Sequence, residues 1–248
     1  MKPICSIFFH NYYGNHQYWI DFFISKLTIP SILYYNIVCD SIYNLQEEKE
    51  IKRLTQINSG NLHEIIFRRS PNKGKDIGGK LILLDAYKKL GKETEFGLFL
   101  HDKKSIYKAN SIKWANGLFK IMEPPFQKKV FQLFTEHKNI GIIAASGSVL
   151  NEYNDSLKIF ISTNDKILSL LQNQFNISPG NFQYVAGTMF WFRMQPLNHF
   201  FQKKSLLKIR GDLEVGNITD EFSGSYTHSW ERLLSWIFIA QHYKINAF

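Results

Sequence analysis

At 248 residues, 44% hydrophobic and 21% charged, the chain falls in the ordinary globular range and can bury a large core, which excludes a disordered protein. Its formal net charge of +9 favours phosphate-bearing ligands or an anionic surface. No run approaches the roughly twenty apolar residues of a bilayer-spanning helix, no cleavable signal pattern opens the chain, and Cys5 and Cys39 sit in apolar strand-like runs, so a cytoplasmic protein with buried, reduced thiols is expected.

Read in order, residues 4–9 form an apolar run that predicts a buried strand, followed by a polar loop over 10–16. Residues 17–27 place Trp19, Phe22, Phe23 and Leu27 near helical spacing, and Pro30 ends that helix. A second strand over 32–38 runs into Asp40, a carboxylate just past a strand end. A charged helix is predicted over 46–57, a third strand over 63–67 and a helix over 81–90. The fourth strand, 96–100, delivers His101, Asp102, Lys103, Lys104 and Ser105 at its carboxyl end. Strands alternating with helices describe βα units and a largely parallel sheet, whose carboxyl edge is where ligands bind.

The second half is less regular. Helices are predicted over 111–119, 126–137, 166–175, 198–207 and 227–243, with strands over 140–145 and 184–192, the latter holding Gly187. Neither repeats nor linkers interrupt the chain, so one domain is expected.

Three further stretches carry chemistry. NKGKDIGG, residues 72–79, lies between a strand and a helix. Gly74, Gly78 and Gly79 allow close backbone approach, Lys73 and Lys75 add charge, the following helix N-terminus favours phosphate, and Asn72 is counted with them as donor-binding. Asp76 would repel phosphate, so it suits a hydrogen bond to a ribose or base, or to an adjacent Arg or Lys, or a helix cap. The loop is neither a Walker loop nor a dinucleotide fingerprint. VAGTMFWFR, residues 185–193, is an apolar strand ending in Arg193, a phosphate or carboxylate ligand or simply the end of a core strand. DEFSGSYTHSWER, residues 220–232, puts His228, Glu231 and Arg232 on one helical face, a clamp, a base or a surface ion pair.

In that order, NKGKDIGG, FLHDKKS, VAGTMFWFR and SGSYTHSWER resemble the rhamnan synthesis protein F family of bacterial glycosyltransferases, over residues 72–232. The strand and helix order before Asn72 also looks like the nucleotide-binding half of a GT-A glycosyltransferase. The resemblance implies a nucleotide-sugar donor and places Asp76, His101, Asp102, Lys103, Arg193, His228, Glu231 and Arg232 in or near its site. Two departures stand out. Lys103 and Lys104 replace the second carboxylate of the Asp-x-Asp pair common in GT-A enzymes, and Ser223 stands where the family's last motif has an acidic residue.

The expectation is therefore a single GT-A-like α/β domain with a Rossmann-type, mostly parallel sheet. A nucleotide-sugar half spans about 1–110 and an acceptor half about 111–248. The expected reaction transfers a sugar from a nucleoside diphosphate to a saccharide or lipid-linked saccharide acceptor in capsule, O-antigen or rhamnan-like polysaccharide synthesis, by an inverting route. Positive charge at the departing diphosphate comes from Lys103, Lys104 and Arg193, or from a divalent cation (Mn or Mg) on Asp102 with His228. Glu221 is favoured as base and Asp220 is next, while Glu231, beside Arg232, is expected to be an ionised clamp with a lowered pKa. Peripheral contact with the anionic inner membrane is expected, and a nucleic acid partner is not. A sugar-phosphate transferase of the same pathways and a non-catalytic binder of nucleic acid or polysaccharide remain alternatives.

Overall fold

Long apolar runs without polar alternation demand a sheet covered on both faces, and the chain builds one. The structure, a computed structural model, describes residues 2–42, 60–102 and 117–248. In chain order β1 (Cys5–Asn11) is followed by α1 (His16–Lys26), β2 (Ser31–Val38), β3 (Leu62–Ser70), α2 (Lys75–Leu90) and β4 (Phe96–His101). Then come α3 (Pro124–Glu136), β5 (Ile140–Ala144), β6 (Val149–Asn151), β7 (Tyr153–Asn154), β8 (Ile159–Phe160), α4 (Asp165–Phe175), β9 (Gln183–Val185) and β10 (Phe190–Arg193). The chain closes with α5 (Met194–Phe201), α6 (Leu206–Gly211), α7 (Tyr226–Ile239) and β11 (Lys244–Ala247).

Seven strands form the central sheet in the order β11-β5-β10-β4-β1-β2-β3. All neighbours pair in parallel except β10, which is antiparallel to both β4 and β5. This mixed α/β domain is Rossmann-like and matches a GT-A arrangement. Successive residues of one strand feed opposite cores: Phe8, Tyr34 and Phe99 pack with Leu81, Leu84 and Trp230 of α2 and α7, whereas Ile7, Phe9 and Leu33 pack with Phe23 of α1 and Phe134 of α3. Truncating a fully buried ring such as Phe99 to Ala would cost about 3–5 kcal/mol.

The strands after residue 111 extend the sheet that the first half begins, as one block, β11-β5-β10, set beside β4-β1-β2-β3. The helix expected from residue 81 starts at Lys75, with Gly74 at its N-cap and Gly78 and Gly79 inside its first turns. The strand expected over 184–192 is two strands, β9 and β10, separated by a turn with left-handed Gly187 (φ 79°) and Thr188 (φ 49°). The helix expected over 198–207 is likewise divided, into α5 and α6. The closing helix ends at Ile239, and β11 follows it as an edge strand beside β5. Cys39 is exposed, unlike buried Cys5, because it lies just past the end of β2. The helix expected over 46–57 and most of that expected over 111–119 lie outside the described residues. No described helix is long and apolar enough to cross a membrane.

Candidate functional site

From β1 the chain order leads outward to β2 and β3 on one side, while β4 lies on the other. The crevice beyond the carboxyl ends of β1 and β4 is thus a topological switch point, where open α/β sheets bind ligands. A pocket of about 400 Å3 occupies it. His10, Tyr12 and Tyr13 enter from the end of β1, and His101 and Asp102 from the end of β4. The start of α2 brings Asn72, Lys75 and Asp76, the β9–β10 turn brings Gly187, the segment before α7 brings Asn217, and α7 brings Thr227, His228 and Glu231.

The loop before α2 is held from several directions. Asp40 accepts the Asn72 amide at 2.8 Å, and segment 213–217 runs antiparallel beside it through the Lys73–Val215 bridge and the Gly74 amide on the Glu214 carbonyl at 2.7 Å. Gly74 is left-handed (φ 73°) and lies against Leu213, so any Cβ there would collide. Helix α2 begins with no side-chain cap, so no capping side chain takes up its first amides. Gly79 permits the close approach of His10, whose Nδ1 would lie 1.8 Å from an added Cβ.

Under the pocket floor lies a buried polar cluster. The ammonium of Lys80, fully buried, donates to Asp76 Oδ2 at 2.6 Å. Thr188 Oγ1 donates to the same oxygen at 3.2 Å, and His101 Nδ1 stands 3.5 Å from it. Burial pushes the Asp76 carboxyl up, but Lys80 and His101 outweigh it and hold the group well below the usual carboxylate range. His10, hydrogen-bonded to Asn36 at 3.1 Å, is lowered to about 4 by burial and is neutral at pH 7.

On the facing helix, Glu231 Oε1 accepts the Gly187 amide at 2.6 Å and Oε2 accepts Arg232 Nη1 at 2.9 Å. Arg232 is buried, also pairs with Glu152 at 2.9 Å and lies over the Tyr184 ring. Burial nevertheless raises the Glu231 pKa, against the pull of Arg232. The lowered value expected from sequence is thus corrected: the ion pair exists, and desolvation exceeds it. His228 bonds Ser225 Oγ through Nδ1 at 2.6 Å, and burial lowers its pKa.

Of the residues singled out from sequence, Asn72, Lys75, Asp76, His101, Asp102, His228 and Glu231 line this one pocket. Asp40 and Arg232 stand behind it, as supports of Asn72 and Glu231. Gly74 and Gly78 shape the loop without lining the pocket, Gly78 packing on the Lys73 carbonyl. Arg193 lies at the opposite edge of the sheet, where it donates to the carbonyls of Phe134 and Ile140. The reason is the antiparallel course of β10, which carries its last residue opposite Phe96 at the start of β4. Glu221 is exposed and does not line the pocket. Asp220 stands beside it, bound by Asn164 Nδ2 at 2.8 Å and 4.0 Å from His228. Burial raises Asp220, but Asn164 and the neighbouring cationic side chains bring it below its ordinary value. Lys103 and Lys104 lie outside the described residues.

Among the described residues no three His, Cys, Asp or Glu side chains group as ligands, and both Asp102 oxygens accept the Tyr12 and Tyr13 amides. The chain that continues from Asp102, residues 103–116, contains lysines but no His, Cys, Asp or Glu.

Sequence reasoning missed Lys80, Thr188, Tyr12 and Tyr13. The i, i+4 spacing of Asp76 and Lys80 was the available signal for the first. Thr188 and the tyrosines join the site only through the tertiary fold.

The family model described as rhamnan synthesis protein F matches residues 7–243, nearly the whole chain. No curated protein matches it.

Proposed function

The chain belongs to the rhamnan synthesis protein F family, and on that premise we propose that it is a glycosyltransferase moving a sugar from a nucleoside-diphosphate donor to a saccharide acceptor. The family places it in rhamnan synthesis, a polysaccharide pathway. One observation supports the transferase reading above others. The switch-point pocket sets an uncapped helix start with Lys75 in the same cavity as a carboxylate of raised proton affinity, Glu231.

The reaction needs both. An acceptor hydroxyl attacks the anomeric carbon of the donor sugar while the bond from that carbon to the diphosphate oxygen breaks. Glu231 takes the hydroxyl proton, and its raised pKa suits a base better than an ordinary surface carboxylate does. The departing diphosphate gains charge, which Lys75 and the first amides of α2 stabilise, with Lys103 and Lys104 as further cations from the chain after β4. Attack opposite to the leaving diphosphate inverts the anomeric centre. Asp76, Asn72 and Asn217 meet the hydroxyl-bearing parts of the donor. No step is assigned to a cation.

The test is binding followed by product analysis. A panel including UDP-glucose, dTDP-rhamnose, UDP and dTDP should contain a compound that raises the unfolding temperature, a saturating ligand at a hundred times its Kd adding about 2.7 kcal/mol. Labelled donor should then yield a glycoside and free nucleoside diphosphate. Transfer of sugar phosphate with release of nucleoside monophosphate would overturn the proposal in favour of a phosphotransferase. If no panel member binds, the donor assignment falls.

A further inference from the structure

Among the described residues Lys80 is the one wholly buried lysine, and neither its ammonium nor its stem lines the pocket. A lone ammonium in that position would be strongly disfavoured, so its contacts define its role. Nζ lies 2.6 Å from Asp76 Oδ2, 3.4 Å from His101 Nδ1 and 5.8 Å from the centre of the Phe99 ring. The second donor to Asp76, the Thr188 hydroxyl, reaches the same oxygen. Every hydrogen bond to Asp76 among the described residues falls on Oδ2, while the side chain keeps 20% of its surface exposed and lines the pocket. Thr188 adopts a left-handed backbone (φ 49°) that a β-branched residue rarely accepts, and in that geometry its hydroxyl meets Asp76. Three elements thus converge on one carboxylate oxygen and leave the other to the cavity.

We propose that Lys80 is a positioning residue: with Thr188 and His101 it locks Asp76 through Oδ2, so that Oδ1 is presented, ionised and fixed in direction, to a hydroxyl of the bound sugar nucleotide. The inference rests on the donor reading above. A carboxylate in this place selects a hydroxyl donor over a phosphate oxygen, which it would repel. It therefore reads the ribose or the sugar of the donor and leaves the diphosphate to Lys75 and the α2 amides.

The groups facing Asp76 are Lys80 on its own helix, His10 from β1, His101 from β4, Thr188 from the β9–β10 turn, and His228 and Glu231 from α7. All but Lys80 and Asp76 are kept in the variants to be compared, which are Lys80→Met, Asp76→Asn and the double variant. Calorimetry with UDP-glucose and with dTDP-rhamnose should show each single variant losing roughly ten- to hundredfold in affinity and the double losing no more than either. Raising the pH from 6 to 9 should restore affinity to Lys80→Met, as the orphaned carboxylate ionises, and leave Asp76→Asn unchanged. Losses that multiply in the double variant, or wild-type affinity in Lys80→Met, would overturn the proposal.

A ligand-free arm separates this inference from the donor reading. An orphaned buried carboxylate favours folding while protonated and opposes it once ionised. The stability deficit of Lys80→Met should therefore be larger at pH 8 than at pH 5, and adding Asp76→Asn should abolish that difference and restore folding if Lys80→Met alone does not fold. If neither nucleotide sugar binds the wild type, the donor reading falls while this arm still decides whether Lys80 holds Asp76. An equal deficit at both pH values, or no rescue by Asp76→Asn, would refute the pairing itself.

Discussion

Asp102 Oδ2 accepts the Tyr13 amide at 2.6 Å and so fastens the end of β4 to the loop that follows β1. The Tyr12 amide is shared by both oxygens at 2.9 and 3.0 Å, which makes this carboxylate a latch between the two strands that flank the switch point. Asp102→Ala should cost about 3 kcal/mol in denaturant unfolding, since buried hydrogen bonds to a charged group are lost. Asp102→Asn, which keeps one acceptor oxygen, should lose less. Wild-type stability for Asp102→Ala would show that the latch carries no load.

Chelation is the second measurement. Because the described donor set does not assemble around a cation, sugar-nucleotide affinity in EDTA and in manganese should differ by less than about threefold. A hundredfold loss on chelation would instead demand a cation held by the diphosphate and Asp102.

The three carboxylates of the last segment make separable predictions. Glu231→Gln should lower turnover by roughly a hundredfold or more with donor affinity retained. Asp220→Asn, which disturbs Asn164 and His228, should have a smaller effect, and Glu221→Gln should be close to wild type. Loss of turnover in Glu221→Gln alone would return the base to the exposed loop.

Acidity should expose Glu231 in two ways. As a base it should give kcat/KM an acid limb above the ordinary glutamate value of 4.5, because burial raises it. For stability the sign follows from the same shift. A carboxyl raised in the folded state contributes stability below its unfolded value, and that contribution is lost as pH rises through the folded value. Asp76 is opposite, its contribution present above its unfolded value and lost as pH falls through its low folded one. Glu231→Gln should therefore gain stability relative to wild type between pH 4.5 and pH 8. A constant difference across that range would contradict the raised value.

Much of the fold was legible because it is written in local periodicity. The apolar runs of β1, β2 and β4 and the breakers around them are unambiguous, and the charged residues after β4 point at the ligand edge. The exceptions are instructive. β10 reads as one strand with β9 because the left-handed Gly187–Thr188 turn has an apolar flank on each side, and nothing in the composition announces reversal. Arg193 was misplaced for the same reason, since its edge depends on strand direction. Glu231 was read from its neighbour in sequence, Arg232, whereas its proton affinity is set by burial that only the tertiary structure reveals. The two amides that Asp102 accepts come from 90 and 89 positions away, a contact that no local pattern announces.

A strand that runs against its neighbours exchanges the duties of its two connectors. Beside a parallel strand the outgoing connector meets the ligand, but for β10 the incoming one does, through Gly187 and Thr188, while its outgoing end at Arg193 is anchored beneath. Insertions into the two connectors should then be far from equivalent. One extra residue within 186–189 would slide the contacts to Glu231 and Asp76 together, whereas one after Arg193 would disturb only the distal edge. Relatives of this chain can thus diverge in what they recognise by remodelling a connector of a few residues, with the strand pairing that carries it left untouched.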